Sequence, residues 1–263
     1  IIFSNKFFVA VLLFLCFFLI YRFSSESGGS PYDYYSRLAQ SLIKGKLYLT
    51  NPPPWLNEVV PVGNKNYIVY PPMPALIMAP LTLIFGGVNQ TFFSNIIGAA
   101  SAVILFFITH KKLGSVKKSV FISVAFGIGT IYWYLSATGS VWYLAQVVGV
   151  FFTFLFILEG ISKKRPYVLG IMLGAAFLSR IQLILLFPLF FYFYERVNLK
   201  IIINIALGLL PFILFYGVYN YLRFGSPTQT GYSLIPGVLE EPWYQHGLFS
   251  LRNIPRHLEI FFL

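Results

Sequence analysis

The sequence predicts an all-α, polytopic transmembrane helical bundle. Three observations lead there. The chain of 263 residues is 57% hydrophobic and only 10% charged, against roughly 25% charged in soluble domains. Its apolar residues gather into runs of about 18 or more, the length that crosses a bilayer. Its excess positive charge, +11 at pH 7, sits in short clusters between those runs, as in loops retained on the cytoplasmic side. A mean hydropathy of +0.75 is more apolar surface than a soluble fold of this size hides. The same clustering explains the charge without nucleic acid. The single cysteine, Cys16, lies in the first apolar run and excludes an internal disulfide.

Residues 7–21 form the first span. The "YRFSSESGG" that follows has no small-residue cleavage pattern, so the run is a retained helix and not a leader. A long polar stretch, 22–72, rich in Ser, Gly, Pro, Asn and Tyr, reads as an outer loop with local structure. "PPMPALIMAPLTLIFGG" is short and broken by proline, and reads as a helix lying in the interface. Residues 92–109 cross to the basic turn "HKKLGSVKK", 120–136 cross back, and "ATGSVW" is a tight outer turn bracketed by aromatic residues. Residues 142–158 return to a second basic cluster, "SKKRP".

The segment 166–195 is too long for one span. A single helix would measure about 45 Å against a hydrocarbon core of roughly 30 Å, and would place Arg180 near mid-bilayer at a cost of several kcal/mol. Two half-length helices turning at Ser179-Arg180 keep both flanking clusters on one side. Residues 201–222 then cross outward to a second outer loop, 223–257, before a final helix start. The chain opens without Met and stops inside an apolar run, which reads as a C-terminally truncated fragment. The whole of 1–263 is expected to form one transmembrane domain, with outer loops at 22–90 and 223–257 and juxtamembrane helices on the extracytoplasmic side.

Chemistry has few carriers here, since only eight residues are acidic. Asp33 lies in the stretch "SPYDYYSRLAQSLIKG", residues 30–45. Ser30-Pro31-Tyr32-Asp33 fits a capping box with Pro at the first helical position, with Gly45 as the stop. Tyr35, Leu38, Ala39, Leu42 and Ile43 share one face of that helix. Asp33 is either a cap alone or a carboxylate held at the membrane surface as a general base.

Five motifs then carry a likeness: "D-Y-Y-x-R-L-A-x-S-L-x-K-G" from Asp33, "Y-P-P-x-P-A-L-I-x-A-P-L-x-x-I-F-G" from Tyr70, "S-A-T-G-S-V-W" from Ser136, "A-A-F-L-S-R-I-Q" from Ala175 and "R-F-G-S-P-x-x-T-G-Y-S" from Arg223. Together they span nearly the whole chain. They resemble the GT-C superfamily of polyprenyl-phosphate-sugar glycosyltransferases, in particular its protein O-mannosyltransferase and aminoarabinose-transferase branch. The resemblance implies an inverting enzyme that moves a sugar from a polyprenyl-phosphate carrier to an extracytoplasmic glycan, lipid or protein acceptor. It implies Asp33 as the base and further spans beyond Leu263. Some relatives carry two adjacent acidic residues where this chain has tyrosines beside Asp33.

Phosphate is a good leaving group, so one carboxylate suffices where a glycosidase needs two. The departing phosphate needs cationic partners. Arg180 leads these, since an arginine in an apolar stretch is a functional candidate, although snorkelling to the interface also accounts for it. Lys65, Arg223, Arg252 and Arg256 follow, with loop-surface and membrane-anchor roles as their plainer explanations. Tyr70, Trp142 and Trp243 are candidates to line a substrate groove or to belong to an interfacial belt. No metal site is expected. Glu240, Glu241 and His246 are poor metal geometry, and a divalent cation is left open. Asn89-Gln90-Thr91 is a formal glycosylation sequon close to the membrane. A transporter or channel, or a non-catalytic lipid-binding assembly subunit, are the competing classes. The first would line a midplane path with polar groups, and the second would tolerate loss of Asp33.

Overall fold

The structure is a computed structural model that describes residues 6–241, 244, 246–247 and 250–262. In chain order its elements are α1 (Lys6–Ser24), α2 (Tyr34–Leu42), β1 (Val59–Val62), β2 (Lys65–Ile68), α3 (Met73–Phe85), α4 (Gln90–Leu113), α5 (Val116–Gly129) and α6 (Tyr132–Thr138). Then come α7 (Val141–Ile161), α8 (Pro166–Ser179), a 3-10 run Ile181–Leu189, α9 (Phe190–Phe193), α10 (Leu199–Phe224) and α11 (Ile254–Phe262). Helices α1, α4, α7 and α10 are each long and apolar enough to cross a membrane. The backbone separates into two compact units, one of Ile1–Gly45 with Pro71–Phe215, the other of Lys46–Tyr70 with Tyr216–Leu263.

In the first unit α1 packs along α4. Val9, Leu13, Phe17 and Tyr21 fill the space over Ala99, Ala102 and Phe106. Small residues on α4 let the backbones approach, which is how helices associate where lipid removes the hydrophobic drive. Some polar side chains in this apolar setting bond to neighbouring carbonyls. The Tyr21 hydroxyl donates to the Gly127 carbonyl at 2.8 Å and Ser123 Oγ to the Ala102 carbonyl at 2.6 Å. Large side chains such as Leu12, Leu15 and Leu19 face outward from α1, as a lipid-facing helix requires.

The expected straight crossing over 120–136 is instead two helices, α5 and α6, bent by 60°. Thr130 breaks it. Its backbone is extended (φ −126, ψ 173), and its hydroxyl donates to the Phe126 carbonyl at 2.7 Å, a back-bond that competes with the helical ladder. Helix α3 exists as expected, with Ala75, Met78 and Thr82 buried and Leu83, Ile84 and Phe85 exposed.

The segment from Pro166 reverses at Arg180. Pro166 stands in the first turn of α8, where its missing N–H costs nothing. Ser179 Oγ donates back to the Ala175 carbonyl at 2.8 Å, and Arg180 is extended (φ −148, ψ 119). The chain then returns along α7. Gly149 on α7 faces Ser179, Arg180 and Leu183, whereas Gly160, farther along the same helix, faces the Phe193 ring. The Tyr194 hydroxyl donates to the Lys164 carbonyl at 2.7 Å, so both ends of the hairpin meet at the basic turn. The returning arm is 3-10 over nine residues and contains Pro188, which has no N–H to give to a ladder. Such long 3-10 runs are uncommon.

Helix α10 docks on α8 through glycine. A Cβ on Gly170 would overlap the Ile205 carbonyl oxygen, and a Cβ on Gly208 would overlap that of Tyr167. Gly170 and Gly174 thus form a small-xxx-small face. Phe156, Leu169, Leu173, Phe190, Phe193, Ile205 and Leu209 pack around it.

In the second unit β1 and β2 pair antiparallel, Val59 opposite Ile68 and Val62 opposite Lys65. Gly63 turns the hairpin with φ +57, a region that favours glycine. This hairpin lies inside the stretch the sequence assigns to loop. Arg223, in the last turn of α10 and 2% exposed, holds the unit together. It donates to the carbonyls of Ile68 and Tyr219 and to Asn220 Oδ1, and its guanidinium lies 3.7 Å from the Tyr219 ring centroid.

Replacing Gly170 with Leu is expected to force α8 and α10 apart, costing about 1–3 kcal/mol or more by overpacking. Thermal unfolding in detergent checks this. Gly87→Ala, at a position with room for a Cβ, is expected to unfold as wild type.

Candidate functional site

Asp33 stands immediately before α2, at its N-cap position, and its side chain makes no capping bond. The capping box is therefore corrected. The helix begins at Tyr34, later than Pro31 suggests, and the Ser30 hydroxyl accepts from the Tyr32 N–H at 3.3 Å. The Asp33 carboxylate instead accepts from Arg37 Nε at 2.7 Å, one turn along. Both side chains are about one third exposed. Such a partly exposed i,i+4 pair contributes little stability, but it fixes the rotamer of the carboxylate. Helix α2 is also more enclosed than a helix resting on a leaflet. Tyr34, Tyr35, Ser36, Leu38, Ala39 and Ser41 are all buried, while Ile43, assigned to the apolar face, is exposed.

The segment before α2 is held by the start of α4. Gln90, 2% exposed, accepts from the Tyr35 N–H at 2.9 Å through Oε1. Through Nε2 it donates to the carbonyls of Tyr32 at 3.1 Å and Gly139 at 2.7 Å. Thr91 Oγ1 accepts from the Ser30 N–H at 2.9 Å and donates to the Thr138 carbonyl at 3.0 Å. Asn89 caps α4 by accepting from the Phe92 N–H at 2.9 Å, and donates to the Gly28 carbonyl at 3.2 Å. The sequon triplet is thus spent on a latch joining three segments distant in sequence.

Arg180 lies half-buried at the tip of the hairpin. Its Nη2 donates to the Trp142 carbonyl at 2.6 Å, and its Nε is buried with no hydrogen-bond partner. A guanidinium with an unused buried donor in an apolar bundle calls for an explanation. The Arg180 side chain and the segment that leads into Asp33 both reach the N-terminal end of α7. Val141 N–H donates to the Tyr32 carbonyl at 3.1 Å, and the rings of Tyr32 and Trp142 lie 4.9 Å apart. The residue preceding Asp33 therefore packs on the residue that receives Arg180.

The other candidates belong to the second unit. Lys65 is exposed, with Nζ 5.2 Å from the Tyr48 ring centroid. Arg252 and Arg256 are exposed on the 3-10 turn Leu251–Asn253 and on α11. Tyr70 is 2% exposed, packed edge-on to Tyr232 at 6.2 Å. Trp243 lies outside the described residues. Arg223 is withdrawn as a phosphate ligand, because all three of its side-chain nitrogens are engaged and it is covered by aromatic rings.

Two hollows flank the loop before α2. One, of about 240 Å³, is lined by Arg22, Glu26, Asn89 and Thr91. The other, of about 400 Å³, is lined by Ser24, Glu26, Ser30, Trp133 and Tyr134. Neither is lined by Asp33 or Arg180. No protein-family model, curated protein or solved structure matches the chain. The fold itself defines the class: an all-α polytopic helical bundle whose long apolar helices are those of an integral membrane protein.

Gln90→Leu, close in volume, orphans the buried Tyr35 N–H and Gly139 carbonyl, at about 1–3 kcal/mol each. Amide exchange at Tyr35 is expected to rise by roughly ten- to a hundredfold, with α1 interior amides unchanged. Unaltered exchange at Tyr35 would show that the latch does not hold the segment.

Proposed function

We propose that this chain is a membrane glycosyltransferase that moves a sugar from a polyprenyl-phosphate carrier to an extracytoplasmic acceptor, with inversion. The observation that supports it is that Arg180 bonds the Trp142 carbonyl while Tyr32, the residue before Asp33, packs on the Trp142 ring, both at one end of α7. An acceptor hydroxyl attacks the anomeric carbon, and the bond from that carbon to the phosphate oxygen breaks with its electron pair leaving on phosphate. Asp33 takes the hydroxyl proton as the new glycosidic bond forms. Arg37 positions the carboxylate. Arg180, with a donor still to satisfy, offsets the charge that gathers on the departing phosphate. Trp142 lies at the same end of α7. The polyprenyl tail lies in the bilayer, and the reaction takes place where headgroups meet water.

The reading also separates from its rivals. A transport path calls for ionisable groups at the bilayer midplane, whereas Asp33 stands before α2, outside the long apolar helices.

Turnover of a radiolabelled polyprenyl-phosphate sugar tests the assignment. Asp33→Asn is expected to lower the rate by about 10²–10⁴ and Arg180→Gln by about 10²–10³. Both variants should retain the wild-type unfolding temperature. Wild-type turnover in Asp33→Asn would remove the base assignment, and absence of turnover in the unsubstituted chain would leave a lipid-binding subunit as the better account.

A further inference from the structure

At the opposite end of α7, where the basic turns collect, the first unit holds a cavity of about 710 Å³. Its walls come from the start of α1, the end of α4, the end of α7 and the start of α8. The inner surface is apolar, with Phe107, Leu155, Leu158, Val168 and Met172. The mouth is cationic, with Lys6, Lys111, Lys163 and Arg165 against one carboxylate, Glu159.

That carboxylate is already committed. Arg165 grips it with Nε on Oε1 and Nη2 on Oε2, both at 2.9 Å, and the Arg165 backbone N–H adds a third bond at 3.1 Å. No carboxylate among the described residues lies within ion-pair reach of Lys6, Lys111 or Lys163. His110, stacked on Phe106 with ring centroids 5.9 Å apart, also borders the cavity and has its buried Nδ1 without a partner. Charge retained on one side of a membrane accounts for basic residues in these turns. It does not account for a hollow between the helices directly beneath them, lined as an acyl chain would need.

We propose that this cavity binds one anionic phospholipid from the leaflet at the basic end. The headgroup phosphate sits among the ammonium groups of Lys6, Lys111 and Lys163, and an acyl chain lies on Phe107, Leu155, Leu158 and Met172. A volume of 710 Å³ is in the range that holds a headgroup with part of a chain. Basic pockets between membrane helices on this side take acidic headgroups by the same physics. The site is separate from the Asp33–Arg180 end and does not depend on the glycosyltransferase reading.

The test uses the full chain purified in a non-ionic detergent. Dioleoylphosphatidylglycerol, dioleoylphosphatidylcholine and inorganic phosphate are the probes, read by native mass spectrometry and thermal unfolding. Phosphatidylglycerol is expected to bind at least tenfold tighter than phosphatidylcholine and to raise the unfolding temperature. Lys111→Gln with Lys163→Gln should bring the preference within twofold. Lys117→Gln with Lys118→Gln removes the same charge from the same end, away from the cavity lining, and should keep it. Three results would each overturn the proposal: equal binding of the two lipids by wild type, displacement of phosphatidylglycerol by millimolar inorganic phosphate, or equal loss in the two double variants. The first comparison needs no variant, so misfolding of a substituted chain does not obscure it.

Discussion

The candidate site depends on one side chain amide. Gln90 has two kinds of hydrogen-bonding group on a single planar head, and both are used. The oxygen receives the Tyr35 N–H near the start of α2, and the nitrogen reaches the Gly139 carbonyl in the α6–α7 turn and the Tyr32 carbonyl before Asp33. In an apolar bundle an unpaired backbone group costs far more than it does in water. Three irregular segments therefore have one low-energy arrangement, set by Gln90 and completed by Thr91 and Asn89. Asp33 inherits its position from that arrangement and its rotamer from Arg37.

Arg180 is placed by a different constraint. An apolar segment of that length does not fit one crossing, so the chain turns back, and the turn falls where a charged residue can find a carbonyl. Ser179 weakens the ladder from within by bonding to Ala175, and the extended backbone of Arg180 completes the reversal. The hairpin returns to Lys164 through Tyr194, so the arginine sits at its far tip, on the end of α7 that also meets Tyr32. Long-range placement of two candidate groups thus follows from two local causes: a satisfied amide and a length mismatch.

Much of this was legible in the sequence because hydropathy and length are strong signals. The four long helices and the turn at Ser179-Arg180 follow from counting apolar residues and pricing a charge in lipid. Other features were not legible, for physical reasons. Pro31 marks a plausible helix start, yet tertiary bonds to Gln90 and Thr91 hold residues 30–35 in another path, so α2 begins at Tyr34. Gln90 carries no local pattern at all, since its partners are residues 32, 35 and 139. The 60° bend arises at Thr130, without proline. The β1–β2 hairpin was hidden in a polar stretch and interrupted by Pro61, although Gly63-Asn64 is a turn signal. Arg223 looked like an outer-loop cation. Its place in the last turn of a helix, where it bonds the Tyr219 carbonyl four residues back, suits an arginine that closes a helix end.

The central claim is that Asp33 and Arg180 divide one reaction between them, proton transfer for the first and phosphate recognition for the second. Equilibrium binding of sugar-free polyprenyl phosphate to the chain in nanodiscs separates the two roles directly. Arg180→Gln is expected to weaken that binding about tenfold or more, a loss of roughly 1.4 kcal/mol per decade. Asp33→Asn is expected to bind as wild type, because the acceptor proton is absent from this equilibrium. Unchanged binding in Arg180→Gln, or an equal loss in both variants, would contradict the account.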